Sequence, residues 1–254
     1  MKKLLKSLCI CLGLPLLNYL NIGLVDIAAT SFIKDFNNLE HAYTTVLIGD
    51  LATLILTYFI FKAYGKKLLS KEILKPINLK SIIYIIIFGI GISIILSNLI
   101  GILMMFSPSY IDVQNQIQNE SNSLLNLSII IILAPVCEEI LFRNVVFGYL
   151  RKNYNIVIAV LVQALIFGII HGNFVQGIYT FTLGIGLALV YMYYDSLWAC
   201  IILHIVFNLM GDLIIQMVID INPDFNYGIV ILGIACLGFS IFKVAKKYEH
   251  ILYE

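Results

Sequence analysis

The chain has 254 residues, 61% of them hydrophobic and 12% charged, with a mean hydropathy of +0.97. Soluble domains carry about 25% charged residues, so this composition excludes a soluble globule and implies a single integral membrane domain over 1–254. Sixteen Lys and Arg against fifteen Asp and Glu leave a net charge of +1, which gives no basis for nucleic-acid binding. Cys9, Cys11, Cys137, Cys200 and Cys236 lie in apolar segments with no paired metal-site spacing, and their odd number argues against a disulfide framework.

A spanning helix needs about 20 apolar residues. On that rule the chain is expected to be an all-α, polytopic membrane helix bundle of about eight transmembrane helices: 7–33, 43–64, 81–106, 125–150, 155–172, 174–194, 196–219 and 227–244. The first run is too long for a signal-peptide core and has no small-x-small cleavage site, so it is expected to be retained. Pro15, Asn18, Asn21 and Asp26 make it the least regular of the eight. The polar stretch 107–124 reads as a loop along the interface, and only His171, Gly172 and Asn173 separate the fifth and sixth segments. No prenylation or retention motif stands in 249–254.

Charge placement supports the count. Lys2, Lys3, Lys6, Lys62, Lys66, Lys67, Lys71, Lys75, Lys80, Arg151, Lys152, Lys243, Lys246 and Lys247 all fall on the side that an even number of spans gives to both termini. The other side holds Lys34 alone, with Asp35, Glu40, Asp112, Glu120, Asp220 and Asp224. By the positive-inside rule both termini are expected in the cytoplasm.

Chemistry concentrates in 125–213, while 1–124 supplies helices without a motif. Each charge at membrane depth costs roughly 2.5–3.5 kcal/mol even on insertion scales, yet the fourth segment carries Glu138, Glu139 and Arg143. Residues four apart are neighbours on a helix, so Glu139 and Arg143 can pair, which leaves Glu138 as the candidate base. Helical counting places Glu138 level with Phe167, and His171 one turn beyond. His204 and Asn208 share a face of the seventh segment, with Asn208 near the depth of Glu138, and Asp212 extends that face. A carboxylate and an imidazole suit water activation, and a second His with an Asn amide suits an oxyanion. Glu138 and His171 are therefore expected to activate water, His204 and Asn208 to hold the oxyanion, and Glu139, Arg143, Phe167 and Asp212 to act in support. The implied reaction is peptide hydrolysis in the membrane with no covalent intermediate and no metal. Two Glu and two His also suit a zinc ion, although His-Glu-x-x-His is absent. A non-catalytic immunity or binding partner and a transporter stand as the other classes; no inverted repeat supports the latter. Asp26 and Asp50 belong to no motif.

Glu138-Glu139-x-x-x-Arg143, Phe167-x-x-x-His171 and His204-x-x-x-Asn208, in this order, resemble the three motifs of the CPBP family, also called the Abi family. These are the type II CAAX prenyl endopeptidases and bacteriocin-processing or immunity proteins. The resemblance covers about 90 residues. It implies a glutamate-dependent intramembrane protease of eight helices around a water-filled cavity, with Glu138 and His171 on the water and His204 and Asn208 as oxyanion hole. It further implies a bacterial plasma-membrane protein, surrounded by lipid and acting on an exported, bacteriocin-like or CAAX-like peptide or protein.

Overall fold

In the computed structural model, residues 2–33, 38–120, 123–222 and 225–252 are described, and every regular element among them is a helix. Of the charges counted above, Lys34, Asp35 and Asp224 lie outside the described residues, as do the side chains of Lys2, Lys3, Glu40, Glu120, Lys246 and Lys247. The helices are α1 (2–32), α2 (Asn38–Ala63), α3 (Leu79–Phe106), α4 (Tyr110–Glu120), α5 (Leu124–Asn153), α6 (Ile156–Ile169), α7 (Phe174–Tyr194), α8 (Leu197–Ile221) and α9 (Phe225–Leu252).

Among the described residues seven helices are long and apolar enough to cross a membrane: α1, α2, α3, α5, α7, α8 and α9. Each expected segment is helical, but α6 has only 14 residues, about 21 Å at 1.5 Å per residue. The chain turns early there because Gly172 adopts φ +67°, a left-handed conformation that glycine takes without steric cost. The stretch 107–124 departs from the expected loop. It holds α4, whose Tyr110 and Val113 share a face, and Tyr110 is buried.

Asparagine starts three of the helices. The side-chain oxygens of Asn78, Asn155 and Asn173 accept from the backbone N–H of Ser81, Val157 and Val175, each satisfying a donor that the first helical turn leaves orphaned. Asp195 ends α7 in the left-handed region, φ 48°, and its carboxylate pairs with Lys75 and, at 3.6 Å, with Arg151.

The core belongs to α5–α8. Phe147, Phe167, Leu183, Leu187, Leu197 and Leu203 are fully buried, and α6 packs closely on α7. Water drives little association between helices in lipid, so close backbone approach matters more. At Gly168 an added Cβ would lie 2.6 Å from the Gly177 carbonyl oxygen, so only glycine permits that crossing. Helix α3 packs on α7, α8 and α9, and the α1–α2 hairpin lies against α5, with α1 also touching α6. Ser7 Oγ is 3.3 Å from the Tyr149 hydroxyl, and Lys243 lies over the Tyr84 ring. The start of α1 and Lys243 on α9 thus share one end of the bundle with Lys75, Arg151 and Asp195, as an even number of traverses requires. Helix α6, the fifth expected span, is an apolar helix shorter than the seven that are long enough to cross.

Helix α5 is not uniformly α-helical. It winds as π-helix over Ile129–Leu133 and Glu139–Phe147, and α8 does so over Leu209–Ile214. Such i→i+5 turns occur often at functional sites. Two of the three begin immediately after Glu138 and immediately after Asn208.

Candidate active site

The two adjacent glutamates have opposite surroundings. Glu139 is completely buried; its Oε1 lies 2.8 Å from His204 Nδ1, and its Oε2 lies 3.1 Å from Arg143 Nε. The Arg143 contact is an ion pair without hydrogen-bond alignment, and both terminal guanidinium nitrogens lack a hydrogen-bond partner among the described residues. The guanidinium instead lies over the Phe167 ring at 4.4 Å, a favourable cation–π placement. Glu138 has no hydrogen bond among the described residues and is 24% exposed, with His204 Nε2 3.8 Å from its Oε2. The carboxylate that remains reachable is therefore Glu138.

Both histidines are oriented through Nδ1. His171 Nδ1 lies 2.7 Å from the Phe167 carbonyl oxygen, which only accepts, so Nδ1 carries hydrogen and a neutral ring presents Nε2 as acceptor. The Glu139 carboxylate makes the same assignment for His204, whose Nε2 then faces Glu138. Phe167 is fully buried and sets the spacing, with its ring 5.0 Å from His171 and 6.0 Å from His204. No ion pair joins Glu138 to His171 among the described residues.

Asn208 donates one amide hydrogen to the Ile130 carbonyl at 2.9 Å and retains a second. This differs from the expected register. His204, not Asn208, lies level with the glutamates, and Asn208 meets α5 about two turns away at Ile130. The π-helical winding after Glu138 explains the shift, because more residues per turn shorten α5 and bring Glu138 nearer the Arg151 end. Asp212 is exposed and makes no hydrogen bond or ion pair with this cluster among the described residues.

A second polar group joins from helices that carried no motif. Asn18 on α1 donates to Asp50 Oδ1 at 2.8 Å and Asn21 donates to Thr53 Oγ1 at 2.9 Å. The Tyr19 hydroxyl donates to the Ile170 carbonyl, beside His171. Their sequence signal was polarity within an apolar run, and only the fold assigns it a place. Among the described residues no three His, Cys, Asp or Glu side chains form a metal-binding group; Glu139 and His204 are instead engaged with each other. Cavities of about 230 and 540 Å³ lie outside the cluster, the first along the α2–α5 seam and the second in the loop after α2.

Residues 120–210 match the family model described as Type II CAAX prenyl endopeptidase Rce1-like. Over 96 residues the chain is 29% identical to "Putative membrane peptidase YdiL" of Bacillus subtilis (strain 168). That alignment covers 38% of this chain and 37% of the relative, so the matched region spans well under half of either protein. No solved structure matches the chain. The matched segment contains the whole Glu138–Arg143, Phe167–His171 and His204–Asn208 cluster.

Proposed function

On the premise that residues 120–210 form the core of a CPBP-type membrane protease, we propose that this chain is a glutamate-dependent intramembrane endopeptidase. Its substrates are membrane-associated or exported peptides, and its setting is peptide processing or self-immunity in a bacterial plasma membrane. The distribution of lysines supports a cytoplasmic location for the Arg151 end.

In this mechanism Glu138 takes a proton from water as the water oxygen attacks the scissile carbonyl. His171 Nε2 accepts from the same water and orients it. The oxyanion receives hydrogen bonds from His204 Nε2, when protonated, and from the second amide hydrogen of Asn208. Glu138 then passes its proton to the leaving amine as the C–N bond breaks. Glu139 acts through His204, whose ring it holds, and Arg143 neutralises Glu139. No step needs a metal ion or a side-chain nucleophile.

The observation that carries this reading is the unequal state of the glutamates: one enclosed by Arg143 and His204, the other partly open and unbonded. The test is cleavage of quenched-fluorescence peptides in proteoliposomes by wild type, Glu138→Gln, His171→Ala and His204→Ala, with and without a strong chelator. Cleavage that withstands chelation and is lost in well-folded variants is expected. Equal cleavage by Glu138→Gln refutes the proposal, and zinc-restorable loss on chelation replaces it with metal hydrolysis.

A further inference from the structure

The buried face of α2 is polar where a bundle helix would ordinarily bury apolar side chains. Thr45, Asp50, Thr53 and Thr57 are all buried, whereas no hydrophobic side chain of 41–63 belongs to the fully buried core. Asp50 is the exceptional member, a carboxylate only 5% exposed. Its Oδ1 accepts from Asn18, which also reaches Thr53 at 3.3 Å, and Thr53 is tied to Asn21 and to the Gly49 carbonyl. Its Oδ2 has no hydrogen-bond partner among the described residues. Asn18 thus holds one oxygen of the carboxylate, within a network that Thr53 and Asn21 complete, and the other oxygen is left unsatisfied among the described residues.

Asp50 sits on the helix that packs against the one carrying the glutamates. Helix α2 packs on the 129–138 region of α5, and the Asp50 charge lies within electrostatic reach of Cys137 and Glu138. Asp50, Glu138 and Glu139 therefore bring three carboxylates together, and the one guanidinium present, Arg143, is paired with Glu139. A buried charge without a counter-charge is destabilising until a cation or donor reaches it. A cavity of about 230 Å³ lies farther along the same α2–α5 seam, lined by Leu54, one turn beyond Asp50, and by Ile140, two residues beyond Glu138.

We infer that Asp50 is a specificity residue of the same site, which accepts through Oδ2 from a cationic group of the bound peptide beside the scissile bond. The cation is a lysine, an arginine or a terminal ammonium. This rests on the protease reading. Bound there, the cation satisfies Oδ2, offsets the excess negative charge beside Glu138, and fixes the peptide against α2. Polar α1 and α2 residues thereby become part of substrate recognition.

The test uses the full chain and Asp50→Asn, which keeps the volume and an oxygen for Asn18 while removing the charge. Asp50→Thr, continuing the threonine stripe, is the second variant if Asp50→Asn does not accumulate. Thermal unfolding of the unliganded protein in detergent is expected to show a higher Tm in the variant; an unchanged or lower Tm overturns the inference. Paired apolar peptides with lysine or norleucine beside the cleaved bond are then compared in proteoliposomes. Wild type is expected to favour the lysine peptide by about tenfold or more in kcat/KM, and the variant to bring that ratio close to one. A ratio that survives in the variant overturns the inference while leaving the protease reading intact. If wild type cleaves neither peptide, the protease reading fails. Stabilisation by the lysine peptide then decides for Asp50 if confined to wild type, and against it if equal in both.

Discussion

Replacing Arg143 with methionine strips the buried Glu139 of its cation while keeping much of the side-chain volume. Both side chains are fully inaccessible, and their charged atoms are 3.1 Å apart. At that distance and an effective dielectric of about 20, the attraction amounts to about 5 kcal/mol. Removing one partner of a buried pair costs about 3–5 kcal/mol, because the other is left uncompensated. Arg143→Met is accordingly expected to lose about 3–5 kcal/mol in equilibrium unfolding titrations in mixed micelles. The double change Glu139→Leu with Arg143→Met removes both charges and is expected to recover most of that loss. It is not expected to recover activity, because His204 Nδ1 then has no carboxylate to orient it. A single variant within about 1 kcal/mol of wild type, or a double variant no more stable than the single, refutes the assignment of Glu139–Arg143 as the charge-neutralising pair.

Other outcomes follow from the same geometry. Glu138→Gln breaks no hydrogen bond and removes one of the clustered negative charges, so cleavage is expected to fall by about 10²–10⁴ with a melting temperature no lower than wild type; parallel assays of rate and unfolding check both. Asn208→Ala loses an oxyanion donor and the bond to Ile130, and a drop of about 10²–10³ in kcat is expected, read from saturation kinetics. Tyr19→Phe removes one hydroxyl from the turn that carries His171. If the net worth of that bond is about 0.5–1.5 kcal/mol, kcat falls by about two- to twelvefold with KM unchanged. Asp195 lies outside the spanning segments, and its carboxyl is held below the usual range by the hydrogen bond from Lys75, then by the Lys75 and Arg151 charges. A depressed folded-state pKa stabilises above the unfolded value of about 3.9 and loses that stabilisation as pH falls through the folded value. The carboxylate is half exposed, so screening keeps this below about 1 kcal/mol. Asp195→Asn is expected to unfold slightly earlier than wild type at pH 7, the gap closing as pH falls below about 3.9, as thermal scans from neutral into acid will show.

Apolar run length made the helices legible, because lipid leaves a backbone segment few alternatives to helix. The Glu139–Arg143 neighbourhood was equally legible, since four-residue spacing brings side chains together in either winding. The depth of Glu138 was not, because the π-helical turns of α5 depend on tertiary packing that no local pattern announces, and they moved His204 into the place expected for Asn208. Helix α4 was hidden in a stretch whose polarity resembles a loop. The polar face of α2 escaped notice because threonines spaced along an apolar run do not lower its hydropathy enough to stand out. Asp50 was visible as a charge in the wrong solvent, but its neighbours Asn18 and Thr53 come from separate segments of the chain.

The brevity of α6 bears on the lipid around it. A helix of about 21 Å meets a hydrocarbon layer about 30 Å thick, and its outward residues Val157, Ile158, Leu161, Leu165 and Ile169 are exposed to that layer. A hydrophobic stretch shorter than the bilayer is accommodated by local thinning. The thinned zone ends at the turn bearing His171, so water and the headgroup region come down to the level of the reacting groups. The bilayer is in this sense part of the architecture of the proposed site, and proteoliposomes of shorter acyl chains are the setting in which the proposed cleavage is expected to be fastest.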